Sequence, residues 1–210
     1  MTIPADGADR LTTPDQLPDS PEATTPPDAL GTDASGADRL RLPGKLLKMA
    51  ERLSVLDGPA GQLSAAIERR LSPDVSSLLL GRWLGHPLHP ILVTVPIGAW
   101  MSVPMLDIAG QRDAARRVLA FGILAAAPAS ATGLVEYTTL DSAQRRVAVT
   151  HVLANSLGIT CLAKSWSLRR RGARASGSAW TLAGLTFAGV GGALGGHLSY
   201  SQGAGVHRQR

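Results

Sequence analysis

The sequence predicts an all-α protein, a four-helix transmembrane bundle with amphipathic N-terminal helices and a disordered N-terminal tail. Residues 1–83 are polar and residues 84–201 are mostly apolar. The apolar part contains four runs of about 20 residues, each long enough to cross a hydrocarbon core roughly 30 Å thick. Glycine is abundant, at 23 residues, and aromatic residues make up only 4% of the chain, which is typical of helices packed closely in lipid. The predicted spans are Leu88 to Leu106, Val118 to Tyr137, Val147 to Trp166 and Trp180 to Tyr200.

The N-terminal part divides into a tail and an amphipathic segment. The tail is acidic and rich in proline, with almost no large apolar side chain and no secretory signal, so we expect it to be disordered and retained. Two short helices follow, the first closed by Gly58 and Pro59, and we expect them to lie on the membrane surface or to dock on the bundle. The predicted segments are 1–42 for the tail, 43–83 for the amphipathic surface helices, 84–203 for the four-helix transmembrane domain and 204–210 for a basic C-terminal tail.

The basic residues indicate a membrane rather than a nucleic-acid partner. The net charge is +5, but nucleic acid would require a continuous basic face with interleaved aromatic residues. The cations instead cluster between the apolar runs, as they do beside membrane helices. We therefore expect the lipid bilayer as a partner and no nucleic acid. The expected location is the inner cell membrane, multi-pass, with both termini in the cytoplasm, because exporting a long tail without a signal is uncommon.

The alternation of the four spans places most of the histidines at one membrane face. The starts of the first and third spans share that face with the ends of the second and fourth. An ionisable side chain within lipid is costly and therefore indicates a candidate functional site. Neutral imidazole binds transition metals and haem iron, and a carboxylate adds a ligand or orients a histidine. The candidate cofactor-binding residues are His86, His89, His151 and His197, and the alternative metal set is His86, His89, Glu136, His151 and His197.

Small residues form a stripe along the last predicted span. Gly184, Ala188, Gly192 and Gly196 repeat every four residues, with Gly191 and Gly195 alongside. Small residues at such a spacing let helix backbones approach closely. The alternative is that a flat cofactor lies against this glycine face. At the end of the first span, Asp107 is expected to cap the interface or to pair with Arg112, with no role in chemistry.

Several motifs resemble the uncharacterised membrane family called domain of unknown function 2231. Gly-His-Pro-Leu-His-Pro at residues 85–90 is followed by Val-Pro-Ile-Gly-Ala-Trp at residues 95–100. Further matches are Leu106-Asp107, Gly133-Leu134, His151 with Asn155, and Gly195-Gly196-His197-Leu198 with Tyr200. The resemblance covers about residues 44–206, and it implies a four-helix membrane protein.

Some members of that family look fused to, or paired with, Rieske iron-sulphur domains. This chain lacks the paired Cys-His motifs of such a domain, so a Rieske partner would be a separate protein. Glu136 stands where the family more often carries Asp, which keeps the charge and changes its reach.

Two functions of different classes remain after the sequence is analysed. The first is a membrane redox module that binds haem or a transition metal and serves an iron-sulphur or other electron-transfer partner. The alternative is a non-catalytic membrane scaffold or anchor that binds a partner protein or anionic lipid. A small transporter is less favoured, because no inverted repeat of broken helices is visible. The absence of hydrolase, phosphate-loop and His-Glu-x-x-His motifs favours no independent catalytic activity, and oligomeric state is not indicated.

Overall fold

The computed structural model describes residues 49–204. The predicted tail at residues 1–42, the start of the first amphipathic helix at residues 43–48 and the C-terminal residues 205–210 lie outside this part. The described part is helical and contains no strand, so the all-α prediction is confirmed. Its helices are α1 (Asp57–Glu68), α2 (Pro73–Leu79), α3 (Leu88–Leu92), α4 (Thr94–Ile108), α5 (Arg112–Tyr137), α6 (Ser142–Arg170) and α7 (Arg174–Gly196), with 3-10 turns at Ser54–Leu56 and Arg82–Leu84 and a π-helical turn at His197–Ser201.

Three stretches are long and apolar enough to cross a membrane, by length and composition. They are Leu88–Ile108, which combines α3 and α4, then Arg112–Tyr137 and Ser142–Arg170. The fourth long helix, α7, has 23 residues but is not among these three; its many glycines add length without much hydrophobicity. The fourth span therefore stays a prediction. Helices α4, α5, α6 and α7 contact one another in turn, and α4 also contacts α7, so they form a closed bundle.

The long helices extend well beyond the apolar runs, so their connections are shorter than predicted. α5 begins at Arg112, six residues before its apolar run, and the links between α4, α5, α6 and α7 contain only three or four residues. Gly110 and Gly172 have φ angles of 72° and 79°, the left-handed conformation that ends a helix in a tight turn. Asp141 and Gln144 form a reciprocal capping box at the start of α6, which satisfies two backbone N–H groups.

The first span contains prolines and is irregular. The helix is interrupted at Val93, between α3 and α4. Pro96 has no N–H to donate to the carbonyl of Leu92, the last residue of α3, so the chain cannot continue one regular α-helix through this point. Because of this interruption α3, which carries His89, is a separate short helix.

The prediction that Gly58 and Pro59 close a helix is wrong. Both residues lie in the first turn of α1, which begins at Asp57. Proline is tolerated there because the first N–H groups of a helix have no partner within the helix. The same dipeptide that would end one helix therefore starts the next.

Helix α1 docks on the bundle through specific polar contacts. The Tyr137 hydroxyl donates to the carbonyl of Ala60 at 3.0 Å. The Arg146 guanidinium donates to both carboxylate oxygens of Asp57, at 2.6 and 2.7 Å, and to the carbonyl of Glu51 at 2.7 Å. The sequence predicts this segment either to lie on the membrane surface or to dock on the bundle. These contacts are made with the bundle, so α1 is docked.

Acid should loosen this docked segment. The hydrogen bonds from Arg146 hold the pKa of Asp57 below its usual value. Because the lowered pKa belongs to the docked state, the stabilisation is present above about pH 4, the ordinary Asp value, and is lost as the pH falls through the lower pKa. We expect hydrogen exchange in α1, corrected for intrinsic rates, to accelerate on acidification, and Asp57→Asn to exchange rapidly already at neutral pH. Equal protection of the two proteins at every pH would contradict this prediction.

Helices α6 and α7 pack along a small-residue stripe whose spacing differs from the predicted one. A Cβ atom on Gly192 would meet nothing within 4 Å, and one on Gly196 would meet only Tyr200 at 4.0 Å, so the strict four-residue repeat is wrong beyond Ala188 and the neighbouring glycines take its place. The residues that face α6 alternate by four and three along the chain, because helices that cross at a shallow angle follow a repeat of 3.5 residues. They are Gly184, Ala188, Gly191 and Gly195.

Candidate functional site

Two of the predicted site histidines face each other inside the helical bundle. His89 on α3 and His151 on α6 have ring centroids 6.3 Å apart, with their planes at 78°. The Nδ1 atom of His89 lies 2.8 Å from the carbonyl oxygen of Ala129 on α5. The Nδ1 atom of His151 lies 2.8 Å from the carbonyl oxygen of Gly191 on α7. Each ring is therefore held by a backbone carbonyl from a neighbouring helix.

These two contacts set the chemistry of the rings. A carbonyl oxygen can only accept a hydrogen bond, so Nδ1 of each ring carries the proton and donates it. In a neutral imidazole the other nitrogen, Nε2, then has a free electron pair. Metal-binding histidines are usually oriented in this way, with the nitrogen that does not bind the metal donating to a carbonyl or carboxylate.

Glycines provide the space that the two rings occupy. A Cβ atom on Gly133 would lie 2.7 Å from Cε1 of His89, and one on Gly195 would lie 3.1 Å from Cε1 of His151. Larger residues at these positions would displace the rings from their carbonyl partners. In the sequence these glycines indicate only helix packing and family resemblance, and their role beside the histidines is visible only in the structure. The signal that could have found them is their placement at the level of the histidines on neighbouring helices.

Asn155 completes the surroundings of His151. Its Nδ2 atom lies 3.2 Å from Nε2 of His151 and 2.9 Å from the His151 carbonyl oxygen. The same atom lies 3.4 Å from Nδ1, so the amide is nearly equidistant from the two ring nitrogens and lies over the face of the imidazole ring. A Cβ on Gly191 would collide with this amide group, so the glycine stripe also leaves room for Asn155.

His197 belongs to a different cluster. Its Nε2 atom lies 2.6 Å from Oε1 of Glu51, and the side-chain amide of Gln202 donates to the same oxygen at 2.9 Å. The His197 side chain is 11% exposed and lies in the π-helical turn that follows α7. This histidine helps to hold the N-terminal segment against the end of the bundle.

The remaining predicted residues do not join the histidine pair. His86 is exposed in the segment before α3, and Glu136 is half-buried in the last turn of α5. Within residues 49–204, no group of three or more His, Cys, Asp or Glu side chains is placed to hold a metal ion. The structure thus brings together His89 and His151 from the five predicted ligands.

The opposite end of the bundle carries a partly buried ion pair. Both Nη atoms of Arg169 donate to the Asp107 carboxylate at 2.6 Å. Ser178 also donates to this carboxylate at 3.1 Å, and Arg169 donates through Nε to Ser165 at 3.1 Å. The prediction that Asp107 pairs with Arg112 is wrong, because α6 continues past its apolar run and carries Arg169 to the level of Asp107.

The comparisons with known proteins concern the same part of the chain. The family described as "Predicted membrane protein (DUF2231)" matches residues 85–208, which include helices α3 to α7 and both facing histidines. No curated protein and no solved structure matches the chain. Together with the apolar helices, the family match shows an integral membrane protein, and the chain belongs to the DUF2231 family.

Proposed function

We propose that this protein is a membrane redox module in which His89 and His151 bind one metal centre through their Nε2 atoms. The observation that carries the proposal is the pair of facing rings, each with Nδ1 at 2.8 Å from a carbonyl of another helix. That arrangement fixes the orientation of both rings and leaves both Nε2 atoms as electron-pair donors. The proposal includes an electron-transfer partner, a Rieske-type or other redox protein, with which this metal centre exchanges electrons.

The separation of the rings supports a shared metal. Two imidazoles on opposite sides of one ion, with metal–nitrogen distances of about 2.0–2.1 Å, have ring centres roughly 6 Å apart. The observed centroid distance is 6.3 Å. Imidazole nitrogen suits copper, iron, zinc and nickel, and copper and iron can also transfer electrons.

The position of Asn155 favours a metal ion over haem. Its amide lies over the face of the His151 ring, 3.2 Å from Nε2 and 3.4 Å from Nδ1, and it fills space beside the two rings. A small ion needs room only between the two Nε2 atoms, whereas a porphyrin requires a flat gap across the whole site. Haem is therefore the second outcome that the same experiment distinguishes.

Replacing either facing histidine should abolish metal binding. The full chain, purified in detergent, is titrated with Cu(I), Fe(II), Zn(II) and haemin, and bound metal and absorption spectra are measured. We expect His89→Ala and His151→Ala to weaken binding by more than about 100-fold, because loss of an orienting partner alone costs 10–100-fold. His197→Ala is the matched control and should bind as the wild type does, since its ring contacts Glu51.

Two results would overturn the proposal. A wild-type protein that binds none of the four additions would leave the rings as hydrogen-bonding groups that hold the bundle together. Equal losses in His151→Ala and His197→Ala would show that the effect is on folding and not on a ligand. In either case the function becomes that of a non-catalytic membrane scaffold or anchor for a partner. A Soret band after haemin addition would assign haem, and bound metal without that band would assign an ion.

A further inference from the structure

A basic groove opens at the end of the bundle opposite the histidine pair. It lies between the end of α4, the start of α5, the end of α6 and the start of α7, with a volume of about 600 Å³. Five arginines and two aspartates line it, so its charged residues carry three net positive charges. The arginines are Arg112, Arg116, Arg169, Arg170 and Arg174.

Some of these arginines are paired with a carboxylate and others are not. Arg169 is paired with Asp107, and Arg116 donates to Asp113 at 3.3 Å. The Arg170 guanidinium lies over the Trp166 ring. The side chains of Arg112 and Arg174 are exposed and make no hydrogen bond, ion pair or ring contact within the described part of the chain. Two guanidinium groups therefore remain available to an anion at the mouth of the groove.

Tryptophan side chains mark the level of the groove in the membrane. The Arg170 guanidinium lies over the Trp166 ring, 4.9 Å from its centroid, and Trp180 is 40% exposed. Tryptophan is enriched where membrane helices meet the headgroup layer. The polar start of α5 before Val118 spans about 9 Å, comparable with a headgroup layer of roughly 5–8 Å on each side.

We infer that this groove binds the phosphate of an anionic phospholipid headgroup. Arginine presents paired N–H donors that match phosphate oxygens, so Arg112 and Arg174 suit this group better than single-point donors. A headgroup with net negative charge is preferred over a zwitterionic one, because a choline group would add a cation beside the arginines. The groove uses residues separate from the histidine pair, so this inference does not depend on the proposed redox function.

The test measures lipid binding to the full chain in neutral detergent by native mass spectrometry. Phosphatidylglycerol and phosphatidylcholine are titrated separately, and inorganic phosphate is added as a soluble competitor. The variant Arg112→Gln with Arg174→Gln removes the two unpaired cations. Its matched control, Arg117→Gln with Arg171→Gln, removes two exposed cations at the same end that do not line the groove.

The wild type should bind phosphatidylglycerol more tightly than phosphatidylcholine. The groove variant should lose about tenfold or more in affinity for phosphatidylglycerol, and the control should keep most of its affinity. Equal losses in the two variants would show general attraction to surface charge and overturn the inference. Equal binding of the two lipids would overturn it as well. Displacement by inorganic phosphate at the same concentrations would assign the groove to a soluble anion instead.

Discussion

Asp107→Ala should lower the free energy of unfolding by about 3 kcal/mol. Removing one member of an ion pair leaves the other charge without its partner, at a cost of about 3–5 kcal/mol when the pair is fully buried. The Arg169 side chain is 7% exposed and that of Asp107 22% exposed, and the adjoining groove admits water, which favours the lower end. Unfolding in sodium dodecyl sulphate, followed by tryptophan fluorescence, measures the change.

A second ion pair at the same end of the bundle provides the control. Asp113 pairs with Arg116 at 3.3 Å, but its side chain is 82% exposed. Asp113→Ala should therefore change the free energy of unfolding by no more than about 0.5 kcal/mol.

The double variant Asp107→Leu with Arg169→Met should recover much of the stability lost by Asp107→Ala, because no unpaired buried charge is left. Equal changes in the free energy of unfolding for Asp107→Ala and Asp113→Ala would show that the Asp107–Arg169 pair does not stabilise the bundle more than an exposed ion pair does.

Gly158→Leu should lower the free energy of unfolding by as much as Asp107→Ala does, for a steric reason. A Cβ atom on Gly158 would lie 3.1 Å from the carbonyl oxygen of Gly184 and 3.2 Å from the backbone nitrogen of Ala188. Both neighbours are backbone atoms of α7, so the remaining atoms of a leucine side chain can fit only if α6 and α7 move apart. Overpacking of this kind costs about 1–3 kcal/mol and occasionally more, and helix separation adds the loss of close packing. We expect a loss of about 3 kcal/mol in the same unfolding assay.

Gly189→Leu is the matched control for this substitution. Gly189 lies on α7, where a Cβ atom would meet nothing within 4 Å. It should leave stability unchanged or slightly increased, since glycine is a poor helix former.

Separation of α6 from α7 should also move His151 away from the Gly191 carbonyl, so metal binding should weaken in Gly158→Leu and persist in Gly189→Leu. Identical unfolding curves for the two variants would refute the close approach of these helices.

The candidate site could be predicted only in part. Alternation of the spans correctly placed His89 and His151 at one end of the bundle, because antiparallel order follows from short connections. It could not separate them from His197, since an axial position does not say which way a side chain points around the helix. His197 instead contacts Glu51, a residue 146 positions earlier in the chain.

The polar contacts of the N-terminal segment could not be predicted from the sequence either. Helical spacing indicated α1 and its amphipathic character, which depend on residues close together in the chain. The Arg146–Asp57 pair joins residues 89 positions apart, and no local pattern indicates it.

The sequence by itself determined the all-α fold, the membrane location and the family, because hydrophobicity and helix length are properties of each segment alone. Only the tertiary structure decided which small residues face α6, which carboxylate pairs with Arg169 and which two histidines meet. Those outcomes depend on the rotation of each helix about its axis and on its offset along the bundle, and both are set by packing between segments distant in the chain.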